Sequence, residues 1–388
     1  MLQPQPTWLL IADISGYTSY LAGVELDHAQ DILADLIGTV VTALRPNFRL
    51  AKLEGDAAFV SADAATLDGS LLLDTVERCY FGFRRRRRDV RQATSCECNA
   101  CSRIPDLNLK FVVHHGVALR QRVAGREELL GSDVIVVHRL LKNEASERLG
   151  VDAYALFTQA AVDAMAIEPA ALGMQPLVET YEHIAEVQTW VHDLERRWQD
   201  EEDRQRVFVT PEAAGFRFSI PTAAPPQVAW EFLTMPGRRA GWQAGVTDVV
   251  LSDATGNRRG VGATIHCMHG KDAVIEEIVD WRPYDYWTHR STIPTPQGPI
   301  KMVGTVELEP TSTGTTVNFR YAPPKSAKER ATLKALGPTF KESFEASAVA
   351  MVSQLDAELR DRRGESVAEP ELPRLSADGV LASLGSAP

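Results

Sequence analysis

Hydrophobic and polar positions in the first part of the chain predict interleaved strands and helices. A nearly continuous apolar run at 7–14 is typical of a buried strand. Residues 25–45 place apolar side chains three and four positions apart, which predicts an amphipathic helix. Two strands are predicted at 48–53 and 57–61, and the turn Glu54-Gly55-Asp56 joins them as a hairpin. The chain therefore begins as a mixed structure with antiparallel strand pairs.

The same alternation continues to about residue 194. Helices are predicted at 68–88, 133–148 and 159–167, and strands at 107–113, 117–123, 153–157, 177–184 and 187–193. The residues His114-His115-Gly116 are expected to form a turn between the two strands at 107–123. This order predicts an α/β sandwich in a chain of the α+β class, with a first domain at 1–194.

The pattern changes in the second half of the chain. The charged stretch 195–206 has almost no apolar face, so it is expected to be a solvated linker helix. Strands are predicted beyond it at 246–251, 261–268, 273–281, 286–292, 301–309 and 315–321. A long amphipathic helix at 339–360 closes a second domain at 207–362. Residues 363–388, rich in Glu, Ser, Ala, Gly and Pro, are expected to be a disordered tail.

Length, composition and net charge limit the classes of protein to which the chain can belong. A chain of 388 residues exceeds the usual size of a single core, which favours two domains. The hydrophobic fraction of 44% and the charged fraction of 24% are typical of a soluble globular protein. The formal net charge of -11 argues against a nucleic-acid binder. Because the sequence has neither a leader pattern nor a long apolar run, a cytoplasmic protein without a membrane span is expected.

Two short motifs in the first domain carry candidate chemistry. The first strand runs into Asp13-Ile14-Ser15-Gly16-Tyr17-Thr18, and Lys52-Leu53-Glu54-Gly55-Asp56 follows later in the chain. Carboxylates at the ends of neighbouring strands suit a hard divalent cation, and a glycine turn that opens a helix offers N–H groups to phosphate. Taken singly, Asp13 also fits a helix N-cap and Asp56 a β-turn. Together the motifs favour a metal–triphosphate site.

This pair of motifs resembles the signature of class III nucleotidyl cyclases. The resemblance implies a ferredoxin-like domain that forms a homodimer and converts a nucleoside triphosphate to a cyclic nucleotide and pyrophosphate. It also implies that Asp13 and Asp56 are catalytic residues that bind Mg²⁺ or Mn²⁺. Gly16, Tyr17 and Thr18 are then expected at the bound nucleotide.

The same resemblance assigns roles to three further residues, and the sequence departs from the family pattern at one position. Lys52 stands where adenylyl cyclases have a lysine that reads adenine, which favours ATP, although an exposed strand lysine is an equal alternative. Glu128 matches the partner position, where the family has Asp or Thr, and Arg139 matches the arginine that stabilises charge on the transferring phosphate. Ile135 replaces the asparagine that positions the ribose. The alternative to an active cyclase is therefore a catalytically inactive nucleotide-binding or dimerisation module.

A cysteine cluster predicts a second metal. Cys96, Cys98 and Cys101 have the spacing that lets one loop wrap a Zn²⁺ ion, and the fourth ligand is expected to be Cys79, His114 or His115. A structural role is favoured, because such a site would fix the loop between a helix and a strand. Small, partly buried thiols are the alternative. The segment around the cluster also resembles an uncharacterised bacterial family related to these cyclases.

The second domain resembles the START-like or SRPBCC helix-grip fold, known from polyketide cyclases and lipid-transport proteins. The resemblance rests on the element order, on Val228 to Leu233 in the early helix and on the connection Trp242 to Val249. It implies a hydrophobic small molecule as partner and an apolar pocket lined by Trp242, Ile265, Trp287 and Phe344. No catalytic His–carboxylate pair is expected inside this pocket. A signalling role follows, in which this domain regulates the cyclase-like domain; the alternative is that its aromatic residues are plain core.

Overall fold

The chain folds into two compact units. The computed structural model describes residues 3–24, 26–93, 98–123, 125–182 and 184–362. Unit 1 is Met1–Arg204 and unit 2 is Gln205–Pro388. Cys96 and the expected tail at 363–388 lie outside the described residues. Among the described helices, none is both long enough and apolar enough to cross a lipid bilayer.

Unit 1 contains eight strands and eight α-helices within the described residues. The strands are β1 Gln5–Ser15, β2 Arg49–Glu54, β3 Ala57–Asp63, β4 Asn108–Val123, β5 Arg126–Leu130, β6 Tyr154–Thr158, β7 Gln175–Tyr181 and β8 Ile184–Asp193. The helices are α1 Tyr17–Leu21, α2 Leu26–Leu44, α3 Gly69–Ala93, α4 Asn99–Ser102, α5 Ser132–Arg139, α6 Ala145–Leu149, α7 Gln159–Met165 and α8 Leu194–Asp203. Short 3₁₀ turns lie at Ala64–Thr66, Ile104–Asp106 and Leu140–Lys142.

The first six main elements of unit 1 form a ferredoxin-like core. In chain order these elements are β1, α2, β2, β3, α3 and β4, and the strands lie in the sheet as β2-β3-β1-β4. Every neighbouring pair among these four strands is antiparallel. This is the split βαβ arrangement, which confirms the predicted ferredoxin-like sandwich. The sheet continues through β6, β8 and β7, and β6 is parallel to β4.

Strand β4 is longer than the sequence predicts. The turn expected at His114-His115-Gly116 is absent from the described chain, because β1 pairs with β4 from Gln5↔Ala118 to Ser15↔Asn108 and holds these residues in the sheet. A Cβ at Gly116 would clash with the carboxylate of Asp133. That carboxylate accepts a 2.6 Å hydrogen bond from Val117 N. The glycine therefore serves the close approach of α5 to the sheet rather than a turn.

Helix α8, expected to be a solvated linker, packs on unit 1. Leu194 and Trp198 are buried, and Arg85 of α3 lies over the Trp198 ring with its Cζ 5.3 Å from the ring centroid. Glu195 accepts two hydrogen bonds from Arg84, at 3.0 and 2.9 Å. Leu194 and Trp198, one turn apart, thus form a narrow apolar face, and aromatic and charged contacts to α3 hold the helix on unit 1.

Unit 2 is one antiparallel sheet with three helices. Its strands are β9 Phe216–Thr222, β10 Asp248–Ser252, β11 Thr264–His269, β12 Asp272–Arg282, β13 Tyr286–Ile293, β14 Ile300–Thr311 and β15 Gly314–Tyr321. Its helices are α9 Pro226–Thr234, α10 Pro236–Trp242 and α11 Ala327–Arg362, with a 3₁₀ turn at Thr255–Asn257. The strand order is β10-β11-β12-β13-β14-β15-β9. The predicted α+β class is confirmed.

The long helix α11 begins at Ala327, not at 339, and continues through Pro338. Its Phe344 ring lies 5.8 Å from Phe216, 6.1 Å from Phe218 and 5.2 Å from Tyr321, measured between ring centroids. Aromatic pairs at these separations add to the free energy gained from apolar burial. The helix is therefore held against strands β9 and β15, as a helix-grip fold requires.

Candidate functional site

Asp13 lies on the face of the first sheet that carries α5. Leu9 and Ile11 of β1 belong to a core cluster with Val137 and Leu140, so the alternation of the strand places Asp13 on the same face. Asp13 is opposite Lys110 of β4 on one side and Ala57 of β3 on the other. Glu54 of β2 is opposite Ala57 in turn. Four adjacent strands thus present Lys110, Asp13, Ala57 and Glu54 in one row.

Asp56 occupies the turn between β2 and β3, beside the end of this row. Its backbone oxygen accepts a 3.3 Å hydrogen bond from Ile14 N, which ties the turn to the end of β1. Burial, and then the negative charge of Asp13, raise the pKa of Asp56 to about 6. The two predicted metal-binding carboxylates are therefore brought together at one end of the sheet. A pair of carboxylates in such a place favours a bound cation.

Lys110 is a member of this group that the sequence did not indicate. Its Nζ lies 3.2 Å from Asp13 Oδ2 and donates a 3.3 Å hydrogen bond to Leu141 O. Both side chains of the ion pair are about four-fifths buried, with 20% and 18% of their surface exposed. Lys110 lies next to Asp13 because of the register in which β1 pairs with β4, and a short sequence pattern does not predict that register.

Glu54 and His138 form a second polar contact near the row. His138 Nε2 of α5 lies 3.2 Å from Glu54 Oε2, and the His138 ring packs edge-on against Phe59. Lys52 Nζ lies 3.2 Å from Glu54 Oε1, and the Lys52 side chain is 57% exposed. Within the described chain no ion pair joins Lys52 to Glu128, which is half-buried in β5 opposite Gln121. Strands β2 and β5 are nevertheless neighbours, since Arg49 of β2 lies 3.0 Å from Glu127 of β5, and the base-reading role of Lys52 and Glu128 stays a prediction.

Gly16, in the turn that follows Asp13, is favoured by the backbone conformation of that turn. Gly16 has φ +84°, and a Cβ there would lie 2.8 Å from the backbone oxygen of Asp106. Thr18 is exposed and Tyr17 is half-buried at the start of α1, which has five residues. These residues adjoin the carboxylates, but so short a helix does not make a phosphate site by itself.

Arg139 and Ile135 lie on the exposed face of α5. Arg139 is exposed, and no ion pair links it to Asp13 or Asp56 in the described residues. Ile135 exposes 58% of its surface, which is unusual for a large apolar side chain. Three other exposed apolar residues of unit 1 come from neighbouring strands β2, β4 and β5: Leu53, Val117 and Leu130.

The cysteines are in two environments. Cys98 caps α4, and its Sγ accepts a 3.5 Å hydrogen bond from Cys101 N. Cys79 is fully buried in α3, where its Sγ donates to Val40 O at 3.7 Å and burial raises the pKa of the thiol. No group of three or more His, Cys, Asp or Glu side chains with metal-binding geometry occurs in the described residues, from which Cys96 is excluded. The zinc site stays a prediction.

Unit 2 contains a cavity, partly open to solvent, between its sheet and helices α10 and α11. The space open to the centre of a water molecule is about 140 Å³. Trp242, Trp287 and Phe344 line the cavity, as the sequence predicted. Ile265 does not; it is buried in β11, opposite Glu276.

The cavity wall also contains a charged cluster that the sequence did not reveal. Arg239 Nη1 lies 2.8 Å from Glu276 Oε2, and Arg239 Nη2 lies 3.2 Å from Glu276 Oε1. Burial alone would raise the pKa of Glu276, but Arg239 outweighs it and holds that pKa at about 2. His289 lines the same wall, and burial lowers its pKa, which keeps it neutral. The cavity wall thus contains a histidine and a carboxylate, but Glu276 is paired with Arg239, and within the described residues no hydrogen bond joins it to His289. The absence of a catalytic His–carboxylate pair stays a prediction.

Sheet register explains this cluster. His289 is opposite Gly304, which in turn is opposite Tyr321. A Cβ at Gly304 would lie 2.6 Å from the Tyr321 ring and 2.8 Å from His289 Nε2. The glycine therefore makes room for two ring side chains beside the ion pair.

Two family models match the chain. Residues 33–148 match a protein family of unknown function, DUF2652. Residues 213–356 match the family described as polyketide cyclase / dehydrase and lipid transport. The second match confirms the START-like prediction for the second domain.

Solved structures of nucleotidyl cyclases resemble part of the chain at low identity. The guanylyl cyclase Cya2 is 14% identical with a TM-score of 0.37, over 49% of this chain and 92% of that one. The adenylyl cyclase CyaB from P. aeruginosa is 13% identical with a TM-score of 0.37, over 50% of this chain and 96% of that one. At these scores the likeness carries no argument about activity, and the ferredoxin-like fold of unit 1 rests on its strand order.

A protein of Mycobacterium tuberculosis, the uncharacterized protein Rv2561/Rv2562, is a closer relative by sequence. It is 35% identical over 162 residues, which cover 42% of this chain and 73% of that protein. Identity at this level over most of a relative's length is sufficient to assign common membership. The chain therefore belongs to the same protein family as Rv2561/Rv2562.

Proposed function

We propose that unit 1 is a nucleotidyl cyclase-like module that binds a nucleoside triphosphate with a divalent cation, and that unit 2 binds an apolar small molecule that regulates it. The observation that carries the first part is the pair of carboxylates at one end of the sheet. Burial, and then the negative charge of Asp13, raise the pKa of Asp56, so the two carboxylates lie close enough to act on each other. Such a pair needs compensating positive charge.

Asp13 and Asp56 fit a divalent cation by the chemistry of their oxygens. Bound Mg²⁺ or Mn²⁺ would supply Lewis-acid stabilisation of the triphosphate and activation of the ribose hydroxyl. Lys110 neutralises part of the charge of Asp13 from 3.2 Å. We therefore propose that Lys110 limits how tightly a cation is held, and that Asp13 changes partner from Lys110 to the cation when nucleotide arrives.

The remaining polar groups support a shared site between two copies of the chain. Lys52 and Arg139 are exposed and neither contacts the carboxylate pair in the described residues. A second copy could bring these cations to a nucleotide held at Asp13 and Asp56. The exposed side chains of Leu53, Leu130 and Ile135 offer apolar surface for that contact. We thus propose a homodimer that completes each site.

Turnover tests the active form of this proposal. The purified full chain is incubated with Mn²⁺ or Mg²⁺ and, separately, ATP, GTP, CTP or UTP, and products are separated by ion-pair chromatography. We expect cyclic AMP and pyrophosphate from ATP, because Lys52 stands at the adenine-reading position. Cyclic product from none of the four nucleotides would exclude a cyclase that is active without its ligand.

A second candidate, a catalytically inactive nucleotide-binding module, is favoured by Ile135. A side chain that cannot form hydrogen bonds stands where a ribose would need one. Titration calorimetry with ATP and Mg²⁺ separates the two candidates: binding without cyclic product supports the inactive module. Absence of both binding and turnover would contradict both.

The apolar-ligand function of unit 2 rests on its cavity. Aromatic side chains of β13 and α11, Trp287 and Phe344, line it together with Trp242. The uncharged dye N-phenyl-1-naphthylamine fluoresces in apolar surroundings and reports on such a site. We expect saturable fluorescence with the full chain. A linear response without saturation would contradict a defined ligand site.

The cysteine cluster is proposed as a structural zinc site. Cys98 and Cys101 lie one turn apart, with the N–H of one directed at the sulfur of the other. Such an N–H···S bond stabilises a thiolate, the form that binds zinc. Mass-spectrometric metal analysis of protein purified without chelator should find about one zinc per chain. Its absence would contradict the site.

A further inference from the structure

One wall of the cavity in unit 2 carries polar atoms without hydrogen-bond partners. In the described residues, no partner is found for Trp242 Nε1, for Arg239 Nε or for either ring nitrogen of His289. The three side chains expose only 7%, 6% and 3% of their surface. All three line the same cavity. A buried polar atom left unpaired costs about 1–3 kcal/mol, so several on one wall indicate that a bound molecule pairs with them.

The identity of these atoms restricts the molecule. Trp242 Nε1 and Arg239 Nε can only donate hydrogen bonds, and neutral His289 donates through one nitrogen and accepts through the other. The ligand must therefore offer an acceptor. The guanidinium carbon of Arg239 lies 5.9 Å from the Trp242 ring centroid, so the two donors are neighbours on the wall. A carbonyl oxygen, with two lone pairs, can accept from both.

Charge restricts the molecule further. The charge of Arg239 is already matched by the two-point contact with Glu276. A carboxylate ligand would place a second negative charge beside Glu276, and Arg239, already paired, is the only lysine or arginine among the described residues that line the cavity. An uncharged acceptor avoids this cost.

We propose that the cavity binds a compact, uncharged, mainly apolar molecule with one carbonyl-type acceptor, held by Trp242, Arg239 and His289. This inference rests on the proposed apolar-ligand function of unit 2 and specifies its chemistry. The cavity, which is partly open to solvent, has a volume of about 140 Å³ and so holds at least one ring. An engineered protein cavity of about 150 Å³ takes benzene, so a one-ring molecule suits the structure.

Three probes of similar size separate the possibilities. Acetophenone has a ring and a carbonyl, ethylbenzene has the same outline without the acceptor, and benzoate carries a charged head. Titration calorimetry on the full chain should show acetophenone binding at least about tenfold more tightly than ethylbenzene, the gain expected from pairing buried donors. Benzoate should bind most weakly of the three.

Two tryptophans provide a matched pair of variants. Trp242→Phe removes the donor from the cavity wall and keeps an aromatic ring, so it should reduce the preference for acetophenone over ethylbenzene by roughly fivefold or more. Trp230 also has a buried Nε1 without a partner in the described residues, but it does not line the cavity. Trp230→Phe should therefore leave that preference unchanged within about twofold. His289→Phe gives an independent test if Trp242→Phe does not fold.

Each outcome decides the inference. Equal affinity for acetophenone and ethylbenzene, or tightest binding of benzoate, overturns it and leaves the apolar-ligand proposal standing. An equal loss of preference in Trp230→Phe and Trp242→Phe also overturns it. If the naphthylamine dye binds and no one-ring probe does, the inference fails alone. If neither dye nor probe binds, the apolar-ligand proposal fails with it.

Discussion

The two candidate sites differ in where they keep their charged groups. In unit 1, the cations Lys52 and Arg139 are exposed, and they do not contact the carboxylate pair in the described residues. In unit 2, Arg239 and Glu276 are buried and bonded to each other at two points. The first group has cations that solvent and another molecule can reach, although Lys52 also contacts Glu54, whereas the ion pair of the second group is buried.

This difference shows what each site still requires. Under the proposed function, nucleotide and a second subunit complete the site of unit 1, whose exposed cations do not reach the carboxylate pair within the described part of one chain. Under the same proposal, the site of unit 2 is formed by one unit alone and is completed by a small molecule. Substitutions should therefore act on binding and turnover in unit 1 but on stability and ligand choice in unit 2.

The largest effect is expected for Glu276→Gln. The change leaves Arg239 buried and charged without a counter-charge, which should cost about 3–5 kcal/mol. Hydrogen exchange of the slowest amides in β12 and β13, followed by mass spectrometry, should become roughly 150- to 5000-fold faster.

Glu277 provides the control, because it is the next residue along β12 and points to the other face. Its ion pair with Arg290 is exposed, with half of each side chain in solvent. Glu277→Gln should cost less than about 1 kcal/mol. Similar losses of stability for Glu276→Gln and Glu277→Gln would show that the cost does not depend on burial of the ion pair.

The sequence indicated the carboxylates of unit 1 but not the charged cluster of unit 2, and the difference has a physical reason. Asp13 and Asp56 lie at strand ends beside turns, where motif and turn chemistry are local. Arg239, Glu276 and His289 come from one helix and two strands, and only the sheet register brings them together. Register depends on the whole sheet, so no short sequence pattern predicts it.

The fold itself was largely predictable. Apolar periodicity predicted most strands of unit 1, the resemblance to nucleotidyl cyclases implied its ferredoxin-like order, and the expected hairpin at Gly55 is present. Two predictions were wrong for the same reason, because each inferred local structure from residue type alone. Gly116 predicts a turn, but in the structure it allows α5 to pack closely on the sheet. The charges of α8 predict a solvated helix, but Glu195 of α8 pairs with Arg84 of α3.

The next largest effect concerns the carboxylates of unit 1. Asp13→Asn removes one negative charge and frees Lys110, so cation-dependent turnover should fall by at least about 100-fold, as for loss of a metal ligand. In the inactive-module case, the same loss should appear in Mg²⁺-dependent ATP binding. Asp31→Asn, at an exposed acidic residue of α2, should change neither quantity. If Asp13→Asn changes neither cation-dependent turnover nor Mg²⁺-dependent ATP binding, Asp13 is not a metal ligand.

A smaller effect tests whether unit 1 needs a second copy. Ile135→Arg places a charge on the exposed apolar face, and burying it at an interface should weaken dimerisation at least about tenfold. Sedimentation equilibrium measures the dissociation constant. Val349→Arg in unit 2 is the control, since Val349 is 69% exposed on α11. Equal dimerisation of the Ile135→Arg and unmodified proteins would exclude this face as the interface.

The smallest effect is a pH dependence of unit 2. Burial lowers the pKa of His289; the charge of Glu276 opposes this shift and that of Arg239 adds to it. Below pH 6.5 the unfolded chain binds a proton that folded His289 does not, so its contribution to stability is complete above pH 6.5 and is lost as the pH falls. Between pH 7.5 and 5.5, urea unfolding followed by tryptophan fluorescence should show a loss of about 1 kcal/mol in the normal protein relative to His289→Phe. The comparison between variants cancels the titration of other histidines. If both proteins lose the same stability, His289 is protonated in the folded state, and the neutral cavity on which the ligand argument depends is excluded.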